Sequence, residues 1–449
     1  MVRNKLLRSK KPGSVIALVL FAVVLLVLSG VGVLSLGQTA RVFSIRTAAE
    51  VAARTAADAG ITKAIWQMNA NLKDGWSKHT LPYENNTEPP NCGATYSYIV
   101  AKASDIAASG DGDLIDFVGR AYPTTAPGAG DYVVRSIGRY HEAERVIYAT
   151  VRLVGCGDTG VLVRDSMVLK AGTLVDGRDS SDPTNLDVLV EIGTISTAPG
   201  AIVLNNGVTV DGNILVGVGG VPTTVIKDLG ATVTGDKYPM TEEPEFPYIY
   251  PPALPDNHTK KIEIGPKEDP NLYIDESWNG IYSMIDLDQN NRTERLIIKS
   301  GNNVVLCLTN TGNKRSISLG VNCEIIIENG ATLNLYVAGN IVSNTGSGFN
   351  NLGTPPQLKL WGNWTESTPT TGYCQDWQLN AKSEYFGQIY APAATLQVNN
   401  QGNSGELWGA FTAYNLTMMN SGKLYYDGAL RDVDPDDPGV RFVLKRWQE

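Results

Sequence analysis

The chain opens with a long apolar run. From Pro12 to Ala40 there is no charged residue, and Val15–Leu36 is 22 residues, about 33 Å as a helix at roughly 1.5 Å per residue. That length predicts a membrane-spanning helix. The pattern then turns amphipathic without a proline. Arg46, Glu50, Arg54 and Asp58 recur at four-residue steps with alternating sign, and Ala48, Ala52, Ala56, Ala59, Ile61, Ile65 and Met68 supply an apolar surface beside them. One helix over residues 14–71 is expected, transmembrane at 15–36 and amphipathic beyond. Residues 72–155 begin with a turn-rich stretch and continue with three alternating runs, TYSYIVAK, DYVVRSIGRY and RVIYATVRLVG. In the last, Ile147, Ala149, Val151 and Leu153 share one face, as in a half-buried strand of a small antiparallel sheet.

From residue 156 to 431 helical periodicity gives way to short β-rich runs punctuated by Gly and Asn. Gly172, Gly193, Gly212 and Gly230 recur at intervals near twenty, and Gly230-Ala231-Thr232-Val233 returns at Gly330 and, more weakly, at Ala393. Phe386-Gly387-Gln388-Ile389-Tyr390-Ala391 returns 22 residues later as Trp408-Gly409-Ala410-Phe411-Thr412-Ala413. Such recurrence predicts a right-handed parallel β-helix, with Val, Ile, Leu and Ala inward and Gly or Asn at left-handed corners. A sandwich would not repeat a sequence block. The expected class is therefore mainly β with one long N-terminal α-helix. Residues 237–270 interrupt the pattern with prolines, which fit neither helix nor interior strand, and read as an extended strap. The tail, 432–449, is acidic and then basic and aromatic, and is expected to cap the last turn or lie along the solenoid.

Ahead of the apolar run, Arg3, Lys5, Arg8, Lys10 and Lys11 stand without an acid. Such flanks stay cytoplasmic, so the rest is expected beyond the membrane. A signal peptide would have a shorter apolar core and a small-residue cleavage site. The leader Lys10-Lys11-Pro12-Gly13, followed by Ser14-Val15-Ile16-Ala17-Leu18 and later Ala57-Asp58-Ala59-Gly60-Ile61, resembles type IV pilins. It is most similar to PilX-type minor pilins and pseudopilins. The end of the chain, residues 291–431, is similar to a β-helical domain of PilX-type proteins, and residues 161–235 fit it less specifically. The resemblance implies cleavage by a prepilin peptidase between Gly13 and Ser14, methylation of the new terminus, and assembly with other pilin subunits through the helix. Major pilins carry a glutamate at the fifth mature position, where this chain has Leu18. A buried ammonium without a carboxylate is expensive, so the departure favours a minor or initiating subunit.

Charge narrows the partners. The net charge is −9, and removing the five basic residues of the leader leaves 32 basic against 46 acidic residues, a charge of −14. An acidic surface disfavours nucleic acid. Of five cysteines, Cys92 with Cys156 and Cys307 with Cys323 are candidate disulfides, leaving Cys374 as the odd one. No C-x-x-C spacing points to structural zinc.

Catalytic chemistry finds little support. His79, His141 and His258 are scattered, and no H-E-x-x-H, G-x-S-x-G or phosphate loop occurs. Asp179, Asp182 and Asp187 with Arg164 or Arg178 are the nearest thing to a lyase set, though a solvated corner loop explains them as well. Asp286-Leu287-Asp288 opens like a calcium loop but lacks its glycine and final ligand. Asp432, Asp434, Asp436 and Asp437 form a denser acid cluster able to attract a cation. No cofactor is expected. Trp361, Trp364 and Trp377 crowd a polar segment and are candidates for an exposed binding surface facing a glycan or protein, with packing over a turn of the solenoid as the alternative. Two functions follow. One is a structural filament subunit displaying a β-helix for adhesion or assembly initiation. The other is a membrane-anchored, extracytoplasmic β-helix enzyme acting on polysaccharide, which rests on fold analogy alone.

Overall fold

The computed structural model describes residues 14–448 except 75, 77–78, 90–92, 103–130, 183, 186, 242, 245, 258, 289–291, 312–313, 363–374, 381–383, 400–405, 432 and 434–438. The described residues form two units. One comprises those up to residue 152 together with 442–448, and the other those of 153–441.

The first unit is built on α1 (Ser14–Asp74), a single helix of 61 residues. Along its apolar stretch the described side chains are exposed, with Leu18, Phe21, Leu26 and Leu34 all open. By length and composition this helix can cross a membrane. Its later half turns one stripe inward: Ala53, Ala56, Ala57, Ile61, Ala64 and Met68 are buried at helical spacing. The expected apolar face was rotated slightly from this stripe, because Ala48 is exposed and Ala52, Ala59 and Ile65 are only half-buried.

That stripe packs on an antiparallel sheet of β1 (Tyr83–Thr87), β2 (Thr95–Lys102), β3 (Asp131–Tyr140) and β4 (Ala143–Val154). The three strands expected from alternation are all present. Along β4, Ile147, Ala149, Val151 and Leu153 are buried, as their period of two requires. Small residues set the helix–sheet distance. A Cβ on Gly138 of β3 would collide with the backbone of Ala53 and Ala57, and one on Gly60 would meet Ser136. Glu50 pairs with Arg145 of β4 at 3.0 Å, so the charged stripe of α1 also reaches the sheet. The tail departs from expectation. Arg441–Gln448 joins this antiparallel sheet beyond β4, where a cap on the last turn or a course along the repeats was expected. Phe442 sits between Trp76 and Tyr132, at 5.2 and 5.3 Å between ring centroids, and exchanges backbone hydrogen bonds with the Asn69 side chain. Burying Phe442 draws the strand here.

The second unit is one parallel sheet of 26 strands among the described residues, which the chain revisits about every third strand. A single ladder displays its logic. Ile285, Ile317, Ile341, Trp377, Leu396 and Leu416 stack in register, and the ladder continues to Met167, Ile202 and Ile226. All are buried in one core. The ladder therefore runs from the end of the chain back to an earlier segment: strands of 161–239 stack beyond strand Glu406–Met418, not before Lys261–Glu263. The repeated blocks FGQIYA and WGAFTA pair residue for residue, one return apart. The returns elsewhere are irregular in length, so a fixed period near twenty holds only locally.

Left-handed backbone recurs at one corner, at Asn322, Gly346, Ser421, Gly172, Gly207 and Gly230. Two of the recurring glycines behave otherwise. Gly193 and Gly212 lie within strands, where a Cβ would collide with neighbouring strands. Gly330 takes a different corner from Gly230, so the shared tetrapeptide is not equivalent in the two places.

The proline-rich segment follows from the permuted order. On the outer side of the sheet Asp256, Ile281, Cys307, Tyr336, Trp361, Tyr390, Thr412, Leu162, Gly193, Leu215 and Tyr238 form one ladder. Its two ends are ten steps apart, or about 48 Å at roughly 4.8 Å per step. The 18 residues from Tyr238 to Asp256 must span that distance, which needs about 2.7 Å each. A helix gives 1.5 Å and polyproline about 3.1 Å. Only an extended chain reaches. On its way Ile249 is buried against Cys307, Tyr336, Trp361 and Tyr390, with Phe246 and Leu254 beside it, and the Tyr390 hydroxyl donates to the Pro247 carbonyl at 2.9 Å.

Candidate functional site

Two of the proposed surface tryptophans are not on the surface. Trp377 is 1 % exposed because its place in the ladder, between Ile341 and Leu396, faces the core. Its indole N–H donates to the Gly339 carbonyl at 3.2 Å. Trp361 is equally buried, on the outer side but beneath the proline-rich segment. Neither is available as an exposed anchor, and Trp364 lies outside the described residues.

The other candidates divide similarly. Ser14 begins α1, Leu18 is exposed on it, and Gly13 lies outside the described residues. Cys307 and Cys323 form no disulfide. They are on opposite sides of the sheet wall, Cys307 in the outer cluster and Cys323 in the core, and burial raises the Cys323 thiol pKa. Cys156 is half-buried, while Cys92 and Cys374 are not described. Asp432, Asp434, Asp436 and Asp437 are likewise outside the described residues. Among those that are described, no group of three or more His, Cys, Asp or Glu is placed to hold a metal ion. The lyase set is split. Arg164 lies under the proline-rich segment, with its guanidinium 5.6 Å from the Phe246 ring and 5.8 Å from that of Tyr414. Arg178 and Asp179 stand elsewhere, together.

Those two line a groove on the second unit. Phe386, Trp408 and Tyr425 stack in register on three successive strands, with Asp176 next in the ladder. Their rings are 5.7 and 5.0 Å apart. Arg178, two residues beyond Asp176, projects from the same side and lies 4.7 Å from the Tyr425 ring and 5.8 Å from that of Trp408. Arg178, Asp179, Ser180, Gly353, Thr354, Pro355, Phe386 and Trp408 enclose a groove of about 350 Å³.

Its walls are fixed by polar contacts. Asp427, fully buried, accepts from the Ser180 amide and hydroxyl at 2.8 and 2.6 Å. Asp179 accepts from the Ser181 hydroxyl and the Ser181 and Asp182 amides, and these bonds lower its pKa. Thr354 and Gln357 form a capping box around a short 3-10 turn opposite. Glu406 accepts from the Trp408 indole at 3.1 Å and from Lys423 at 3.0 Å, orienting the ring. Burial opposes ionisation of Glu406, but the Lys423 and Trp408 hydrogen bonds outweigh it and its pKa falls below the ordinary value. The buried Arg178 Nε finds no acceptor among the described residues. The groove thus offers an aromatic wall, a guanidinium donor and a carboxylate acceptor.

Half of this site had a sequence signal. Phe386 and Trp408 are the first residues of the two repeated blocks, and parallel stacking places them on one side. Arg178 comes from a segment 230 residues from Trp408, and only the permuted order joins them.

Residues 279–433 match a family described as a domain of unknown function, DUF7305. Phe386, Trp408 and Tyr425 fall inside that stretch, and Arg178–Ser180 outside it. No curated protein matches the chain. Among solved structures, the competence-associated pilin ComZ from Thermus thermophilus shares 12 % identity, over 89 % of this chain and 97 % of that one, with a TM-score of 0.29. The DUF3494 domain of a Shewanella frigidimarina ice-binding protein shares 11 %, over 60 % and 94 % respectively, with a TM-score of 0.23. At TM-scores this low neither likeness bears on the function of this chain.

Proposed function

We propose that this chain is a pilin-like subunit of a type IV pilus or related filament. Its N-terminal helix is held in the cytoplasmic membrane before assembly, and it carries a β-helix to the cell surface. The observation that supports this best is α1 itself. An unbroken helix is uncharged, predominantly apolar and exposed up to Ala40, and its later half packs through small residues on an antiparallel sheet. So much exposed apolar surface on a helix demands lipid or other apolar helices around it. A leader that is basic up to Gly13 supports processing ahead of Ser14, and Leu18 in place of an acid favours a minor or tip position. The β-helix reading of the second unit is supported by in-register ladders revisited every third strand and by left-handed corners.

The test is the intact mass of the protein in sheared surface filaments and in the membrane fraction. A mature chain starting at Ser14, present in filaments, is expected. A chain that retains residues 1–13 and stays in the membrane overturns the proposal and leaves the anchored-enzyme reading standing.

A further inference from the structure

We propose that the groove of Phe386, Trp408, Arg178 and Asp179 binds a neutral pyranose unit of an oligosaccharide. Three observations carry this. The first is the wall. Phe386 and Trp408 are half-buried rather than buried, held in register by the ladder, and Trp408 is further fixed by its indole bond to Glu406. A pyranose ring presents a face of C–H groups that packs on such rings, which supply area at little entropic cost.

The second is the polar complement. A ring of hydroxyls needs donors and acceptors side by side. Arg178, whose side chain is partly exposed at the groove, provides guanidinium N–H donors, and Asp179 next to it provides a carboxylate whose pKa the Ser181 bonds lower. A single cation would select an acidic sugar. Here the Asp179 carboxylate lines the same groove, and Asp176 lies 3.9 Å from the Arg178 guanidinium. A uronate or sialate would therefore meet repulsion as well as attraction, and a neutral sugar satisfies both groups. The third is capacity. At about 350 Å³ the groove is at the small end of ligand pockets, and it is preformed. Ser180 is tied to buried Asp427, and the opposite rim is capped by Thr354 and Gln357.

The proposal adds a ligand to the filament-subunit reading without depending on it, because binding is measured on the isolated protein whatever its N-terminus. Detergent-solubilised full-length protein is titrated with cellohexaose, maltohexaose and N-acetylchitohexaose, and with oligogalacturonate as the acidic counterpart, by tryptophan fluorescence and calorimetry. The expected result is saturable binding of at least one neutral oligosaccharide and none of the acidic one. Trp408→Ala should weaken binding about tenfold or more. Thr354→Trp, which fills the groove from an exposed rim position and leaves the ladder intact, should abolish it. Trp66→Ala, at an exposed site on α1, should change nothing. Should Trp408→Ala fail to fold, Thr354→Trp decides alone. Binding of the acidic oligosaccharide only, binding of none, or neutral binding that survives Thr354→Trp each overturns the proposal.

Discussion

At the scale of single residues, glycine does its most consequential work where the helix meets the antiparallel sheet. Gly138 has ordinary strand conformation, so its role is steric, not conformational: a methyl there has only the backbone of Ala53 and Ala57 to enter. Backbone of a packed helix yields little, and overpacking of this kind costs about 1–3 kcal/mol. Gly138→Ala should therefore lower the stability of the first unit by at least that range. Hydrogen exchange of β2 and β3 amides in the detergent-solubilised chain reads it. Gly37→Ala is the control, since nothing lies within 4 Å of a Cβ at that position, and replacing a mid-helix glycine should be neutral or slightly stabilising. Equal exchange in both variants would show that the helix–sheet distance is not set by Gly138. The run Ala57-Asp58-Ala59-Gly60-Ile61 belongs to the same contact, with Gly60 against Ser136. Its small side chains were visible in the sequence, although the partner strand was not.

The proline-rich segment shows the same dependence on context for a whole element. Its composition excluded helix and interior strand, and that much was legible. Its length has meaning only once Tyr238 and Asp256 are known to lie at opposite ends of one ladder. With 18 residues for about 48 Å there is slack but not much. Deleting Tyr248–Ala253, six residues, leaves 12, which reach about 43 Å even fully extended. Such a deletion should prevent the strands of 161–239 and those of 261–427 from being paired at once. Limited proteolysis should then cut within residues 161–239, which the intact chain protects. A deletion variant as resistant as the wild type would mean that the segment does not fix the order. The same element explains why Trp361 is not on the surface. Alternation puts Trp361 on the outer side, and no local pattern says that a segment a hundred residues earlier covers it. Trp377 was misread for a different reason. Its polar neighbours suggested a loop, but ladder register with Ile341 and Leu396 sets its side.

Over the whole molecule, the permuted order makes the second unit depend on segments far apart in sequence. Strand Glu406–Met418 is central in the sheet only because Val161–Val163 and Met167–Leu169 pair with its far side. The amide of Phe411 donates to the Gly160 carbonyl and that of Leu416 to Ser166, both at 2.9 Å. A fragment restricted to residues 261–431 contains the whole stretch matched to DUF7305 up to its last two residues. It lacks those acceptors, however, and leaves one side of the 13-residue strand Glu406–Met418 as an edge over the residues that pair with Val161–Val163 and Met167–Leu169. Such an edge is a template for another chain. The fragment should therefore self-associate, and its Phe411 and Leu416 amides should exchange fast in whatever monomer remains. Adding residues 153–240 as a separate chain should restore protection at both positions and suppress association, because it supplies the missing strands in register. A monomeric fragment with Phe411 and Leu416 protected as in the full chain would place the end of the sheet at this strand and refute the permuted pairing. The same comparison bears on the groove, since Phe386, Trp408 and Tyr425 remain in the fragment whereas Arg178 and Asp179 return only with the added chain.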